Sequence, residues 1–293
     1  MKKYTISLIL ILLIGFGSFA QETTEAATKV KDKPVRTPFQ SGLLIDNQTT
    51  VVPPAKTLEF IIQHKFGKLD NGFSDLFGIY SPGANIRLGM NYTIIDKLQI
   101  GYGITRLNMY SDFNIKYSIV EQTRNNTIPV AVAVYANMAI DGRKESVFGL
   151  DYSFTDRMSY FAQLIVGRKV NDWLSLQLNT SFAHYNKVDS LLDHDVISVG
   201  FNGRAQFSPQ SAILFQYDVP MKIKGISEHR FFTNPSKPNL ALGWEIATST
   251  HAFHIYVSTA DGIVPQHNAF YNQNDFTNGD LMFGFTITRL WNF

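Results

Sequence analysis

Residues 86–105, IRLGMNYTIIDKLQIGYGIT, decide the fold. Ile86, Leu88, Met90, Tyr92 and Ile94 alternate with Arg87, Gly89, Asn91 and Thr93. After Ile95-Asp96-Lys97 the pattern resumes, with Leu98, Ile100, Tyr102 and Ile104 against Gln99, Gly101, Gly103 and Thr105. A period of two belongs to extended strands, whose successive side chains point to opposite faces. Two such runs across a tight turn make an antiparallel hairpin with one oily face and one polar, glycine-rich face. The alternation returns at Leu174, Leu176, Leu178 and Phe182 against Ser175, Gln177, Asn179 and Ser181, and again at Ile197, Val199 and Phe201 against Ser198, Gly200, Asn202 and Arg204.

A soluble sandwich also alternates, so the connections carry the decision. Strands are predicted at 57–66, 84–95, 97–107, 112–121, 128–139, 158–169, 173–185, 195–206, 211–219, 239–248, 251–260 and 281–292. The second, sixth, eighth and tenth connections are tight turns, whereas the first, fifth, ninth and eleventh are long. Short and long connections therefore fall at opposite ends, the sorting of a bacterial outer-membrane barrel with short periplasmic turns and longer outer loops. The sequence predicts an all-β, transmembrane, antiparallel up-and-down β-barrel of about 12 strands. Merging or splitting around 107–112 or within 140–157 gives 10 or 14 as alternatives.

Composition agrees. Aromatic residues make up 13% and charged residues 17% of the chain, against about 25% charged in ordinary soluble domains. The net charge of +2 comes from dispersed lysines and arginines, which gives no basic stripe and no expectation of nucleic acid as a partner. There is no cysteine, so neither a disulfide framework nor a lipid-accepting thiol is available.

Residues 1–20 read as a signal peptide: Lys2 and Lys3, an apolar run from Ile6 to Ile14, then Gly15, Gly17, Ser18 and Ala20. Residues 21–55 read as a periplasmic leader or possible plug, and 56–293 as the barrel. Within the leader, Phe39–Pro54 is apolar enough to be a plug, a strand or a docking segment. On the last strand Phe285, Ile287, Trp291 and the terminal Phe293 share a face. That ending resembles the signal read by the outer-membrane insertion machinery during assembly. Arg289 breaks this face close enough to the rim to snorkel to headgroups.

The segments SGLLIDNQTTVVPPAKTLEFIIQHKFG (41–67), NGFSDLFGIYSPGANIRLGMNY (71–92), DFNIKYSI (112–119) and ANMAIDGR (136–143) resemble a family of uncharacterised membrane-bound β-barrel domains from Bacteroidota. The resemblance extends from about Thr37 to the end and implies fold and location, with no catalytic or binding motif to carry over.

Parity puts Glu59, Arg87, Lys116, Arg204 and Glu245 on the inward face as candidate lumen-lining residues. They either line a polar conduit or pair with one another and close it. Leu76, Phe77, Ile79 and Tyr80 make the first long loop oily, as a lumen constriction, a partner or ligand contact, or packing against the rim. Passive transport of small solutes is the first functional reading. The alternative is a non-conducting structural or interaction barrel that binds another envelope component. A wall hydrolase comes third, because His184 has Asn186 beside it but only Ser190, in the following loop, as a nucleophile. No cofactor is implied, and no metal site: His251 and His254, three apart, fall on opposite faces of a strand, and Asp193, His194 and Asp195 read as a solvated loop. The expected location is the outer membrane, as a monomer with periplasmic termini and lipid around it.

Overall fold

The structure, a computed structural model, describes residues 32–189, 192–221 and 235–293. The signal-peptide reading and residues 21–31 of the leader lie outside these. Twelve strands follow one another: β1 (Thr57–Lys68), β2 (Asn85–Ile95), β3 (Leu98–Thr105), β4 (Ser111–Val120), β5 (Ala131–Ile140), β6 (Met158–Lys169), β7 (Leu174–Tyr185), β8 (Asp195–Ser208), β9 (Ser211–Met221), β10 (Asn239–Ala247), β11 (His251–Ser258) and β12 (Met282–Asn292). Each pairs antiparallel with its chain neighbour, and β1 pairs with β12 to close the barrel. The two doubtful regions hold no extra strand: Arg106–Tyr110 is a short turn, and 141–157 contains only two short 3-10 turns.

The two faces are sorted as the alternation requires. Along β2, Asn85, Arg87, Asn91 and Thr93 are buried, while Leu88, Met90, Tyr92 and Ile94 are exposed. Exposed Leu, Ile, Val, Met, Phe, Tyr and Trp on every strand from β2 to β11 form a surface that is costly in water and satisfied in hydrocarbon. No helix among the described residues is long and apolar enough to cross a membrane. At the seam, Phe285 stacks on His64 with ring centres 5.4 Å apart, and Phe66 on Phe283 at 5.6 Å. Arg289 lies 4.7 Å over the Trp291 ring, so the charge that interrupts the oily face rests on an aromatic surface.

Glycines on the inward face make room for long polar side chains. Gly89 of β2 lies directly opposite Gly103 of β3, and a Cβ on either would collide with the Arg87 guanidinium. The groove they form lets Arg87 lie flat and reach Asp112. Gly103→Val is expected to push Arg87 off that carboxylate and cost about 1–3 kcal/mol, the usual range for overpacking. The readout is a lower temperature for the loss of folded-barrel migration on a gel.

Candidate functional site: the barrel interior

The chain before β1 occupies the interior. Pro34 bridges to Thr123 in the β4–β5 turn, and Lys169 Nζ donates to the Arg36 carbonyl at 3.0 Å, so this segment enters at the short-turn end. Gly42–Thr49 then folds into a tight hairpin. Its cross-links are the Leu43–Gln48 bridge, Leu44 N to Asn47 O at 2.8 Å and Thr49 N to Gly42 O at 2.8 Å. The chain leaves by the same end, where Lys56 N donates to Thr93 O and β1 begins.

One side of the hairpin is apolar. Phe39, Leu44 and Ile45 pack with Leu214, Ala241 and Tyr256 on β9–β11. Burying each large side chain is worth about 1.5–3 kcal/mol. The rest is polar and meets amides of the wall. Gln216 Oε1 accepts from the backbone N–H of Asp46 at 3.0 Å and of Asn47 at 3.2 Å. Asn47 Nδ2 donates to Asp218 at 2.7 Å and Asn202 at 3.1 Å, Gln163 Nε2 donates to Asn47 Oδ1 at 2.9 Å, and Gln177 Nε2 donates to Gln48 O at 2.7 Å. At the tip, Asp46 is ion-paired with Lys65 at 2.7 Å, with both side chains almost wholly buried.

A long loop closes the other end. The β11–β12 connection carries the short helix α1 (Pro265–Tyr271), which starts on a proline at its first turn, where a missing N–H costs nothing. Gln266 is fully buried and donates to Asn137 Oδ1 at 3.0 Å and Ser159 Oγ at 3.3 Å. Phe270 packs edge-on against Tyr185 at 4.9 Å in a cluster with Tyr135, Phe161, Ile165 and Ala183. The loop's far side is tied down outside the strands. Asp275 is held below its ordinary value by the Thr277 hydroxyl and N–H, and Asp280 by the Asp275 N–H and the Lys68 ammonium. Phe270→Ala is expected to loosen the loop by about 3–5 kcal/mol, seen as new protease cleavage within 259–281 of the purified protein.

Hairpin and loop meet. Lys65 Nζ reaches past Asp46 to donate to the Ala260 carbonyl at 2.7 Å, so one side chain touches both obstructions. Two voids remain between them, about 20 Å³ and about 30 Å³. A water needs about 10–15 Å³ of such volume, so neither void admits a solute. At the short-turn mouth lies a larger vestibule of about 490 Å³, lined by Phe39, Pro53, Glu59 and Gln122 among others.

The five sequence-derived lumen residues all lie on the inward face and are buried. Arg204 Nε pairs with Glu245 Oε1 at 2.6 Å, and His254 Nε2 lies 3.2 Å from the other oxygen of that carboxylate. Arg87 instead pairs with Asp112, at 2.7 and 2.8 Å, and donates to Gln63. Lys116 donates to the hairpin carbonyl of Gly42 at 2.7 Å, and Glu59 accepts from Asn91 and Gln99. Sequence reasoning did not name Lys65, Asp112 or Asp218 and gave His254 no place in the lumen; parity puts Lys65 on the face of Glu59 and Asp112 on that of Lys116, whereas Asp218 and His254 follow only from their register opposite Gly200 and Glu245.

The other candidates fall elsewhere. Leu76, Phe77, Ile79 and Tyr80 are 39–77% exposed and line neither interior void, so the lumen is obstructed by the eleventh connection and not by the first. Leu76 and Phe77 sit at φ 53° and 55° between Gly72 and Gly78, in a tightly coiled surface turn. Phe285, Ile287 and Trp291 share the outward face, and Phe293 is exposed at the end. His184 faces outward, with Nδ1 2.8 Å from Asp195 and Nε2 3.0 Å from Asn186 Oδ1. Both ring nitrogens are thus engaged, and Ser190 lies outside the described residues. His254 points inward and His251 outward, as their spacing requires. Among the described residues no group of three or more His, Asp or Glu is arranged to hold a metal ion.

Fold and site together define a membrane-spanning β-barrel with an internally occupied polar lumen. The chain belongs to the family described as membrane bound beta barrel domain (DUF5777), whose pattern matches residues 39–291. No curated protein matches the chain in sequence. Among solved structures it is similar to the NanC porin, at 8% identity and a TM-score of 0.50, covering 80% of this chain and 99% of that one. It is also similar to an outer membrane channel from Pseudomonas putida F1, at 8% identity and a TM-score of 0.49, covering 82% and 97%. For the KdgM porin the figures are 8%, 0.46, 81% and 99%. At such identities the likeness is one of fold.

Proposed function

We propose that the barrel lies in an outer membrane, with its short turns and both chain ends on the periplasmic side, and passes small polar solutes through a lumen that its own hairpin and the β11–β12 loop, joined through Lys65, hold shut together. The chemistry of the wall carries this reading. The interior of a membrane barrel is polar, whether water-filled or plugged, and here the wall amides Gln163, Gln177 and Gln216 meet a segment that enters and leaves at one end of the pore, while Arg87–Asp112 and Arg204–Glu245 pair within the wall. Twelve strands leave an interior between the side-chain-filled eight-stranded barrels and the open sixteen-stranded porins. Its lasting partners are lipid and, during assembly, the insertion machinery, and no bond is made or broken in the transport step.

A second reading, a non-conducting barrel that binds another envelope component, is favoured by the small interior voids. Single-channel recording separates the two. The intact chain and a variant lacking residues 21–55 are placed in planar bilayers after folded-barrel migration is verified on gels. Rare, brief steps from the intact chain and large steady ohmic steps from the truncated one are expected. Silence from both removes the channel and leaves the interaction barrel.

A further inference from the structure

This inference rests on the channel reading and concerns what passes. We infer that the lumen selects uncharged, polyhydroxylated solutes about the width of one sugar ring, over anions or cations of the same size.

The first ground is charge. Pores that select ions present rings of one sign. Here the inward charges between the rims balance. Arg87 is neutralised by Asp112 and Arg204 by Glu245 within the wall itself. Lys116 Nζ and Glu59 Oε1 both lie within 4 Å of the same point beside Gly42. Lys65 and Asp218 complete the balance when the hairpin withdraws and takes Asp46 with it. Among the described strand residues, Lys169, the terminal residue of β6, stands outside this balance at the mouth, and His254 shares the Glu245 carboxylate with Arg204.

The second ground is the wall's hydrogen bonding. Gln63, Gln163, Gln177, Asn202, Gln216 and Asn239 are all buried on the inward face. Each amide offers donors and an acceptor together, the complement of a hydroxyl group that both gives and takes. In the closed state three of these amides hold uncharged groups of the hairpin: the backbone N–H groups of Asp46 and Asn47 at Gln216, the Gln48 carbonyl at Gln177, and the Asn47 amide at Gln163, while Asn239 donates to the Asp46 carboxylate, Gln63 accepts from Arg87 and Gln216 also donates to Asp218. Apart from the Asp46 carboxylate at Lys65 and Asn239, the hairpin meets the wall amides as a neutral polar solute would. The third ground is width, because the space it vacates is that of a two-stranded ribbon with backbones about 4.8 Å apart.

The test uses full-length protein, intact and Asp46→Ala, a change that frees the hairpin tip without altering the wall. In a potassium chloride gradient the reversal potential is expected near zero. Proteoliposomes are expected to swell several-fold faster in glucose than in glucuronate or glucosamine. Adding Gln177→Glu to Asp46→Ala places an unbalanced carboxylate in the wall and is expected to turn the pore cation-selective. Strong anion or cation selectivity without that carboxylate, equal swelling in charged and uncharged sugars, or no response to Gln177→Glu would overturn the selectivity while leaving the channel standing. Absence of both conductance and swelling from both proteins would remove the channel, and the selectivity with it.

Discussion

Asp46→Ala is expected to raise the open probability of the proposed channel by about two to four orders of magnitude. The reason is the buried ion pair at the hairpin tip: the Lys65 and Asp46 side chains are 1% and 4% exposed and 2.7 Å apart. Removing one member of such a pair costs about 3–5 kcal/mol, because the remaining charge is left buried without its partner. Lys65 keeps only the Ala260 carbonyl in the closed state. In an open, hydrated lumen it regains water, so the penalty falls on the closed state alone. At about 1.4 kcal/mol per tenfold, the shift is large enough to read directly as dwell times in single-channel records. Asn239, which donates to Asp46 Oδ2 at 2.9 Å, loses its partner as well and pushes in the same direction.

Arg204→Met is expected to destabilise the barrel by about 3–5 kcal/mol by the same logic. Arg204 and Glu245 sit almost wholly buried near the short-turn end, and without the guanidinium Glu245 retains only His254. The hairpin makes no direct bond to either, so the loss falls on the barrel and not on the gate. The double change Arg204→Met with Glu245→Met removes both charges and recovers most of the stability, since an apolar pair of similar volume substitutes for a buried ion pair at little cost. Urea midpoints followed by gel mobility distinguish the single from the double variant. Equal destabilisation by both would mean that packing, not charge, dominates at this position.

The barrel was legible in the sequence because a sheet between lipid and a polar interior repeats one local rule along every strand. The alternation through Arg87, Gly89 and Asn91 sets the inward face of β2, and the same parity places Glu59, Lys116, Arg204 and Glu245. What occupies the interior obeys no local rule. Asp46 bonds Gln216 across 170 residues and Gln266 reaches Asn137 across 129, contacts that no window of sequence contains. Oiliness misled at the loops. Phe77 and Tyr80 stand in a local cluster yet remain exposed, whereas Val264, just before the short helix, and Gln266 and Phe270 within it are buried against wall partners. The segment 39–54 was legible as apolar enough to be a plug, a strand or a docking segment, and its hairpin turn is explained only by the distant amides it meets.

The most direct test locks the hairpin in place. Thr50 lies against β6 so closely that a Cβ on Gly167 would stand 3.0 Å from Thr50 Cγ2 and 3.3 Å from its hydroxyl oxygen, close enough for a disulfide between cysteines at these positions. The chain has no other cysteine to interfere. In single-channel recordings of Asp46→Ala carrying Thr50→Cys and Gly167→Cys, the oxidised protein should be silent, and reductant should restore the openings of Asp46→Ala. Equal conductance with the bond intact and reduced would contradict closure by the hairpin.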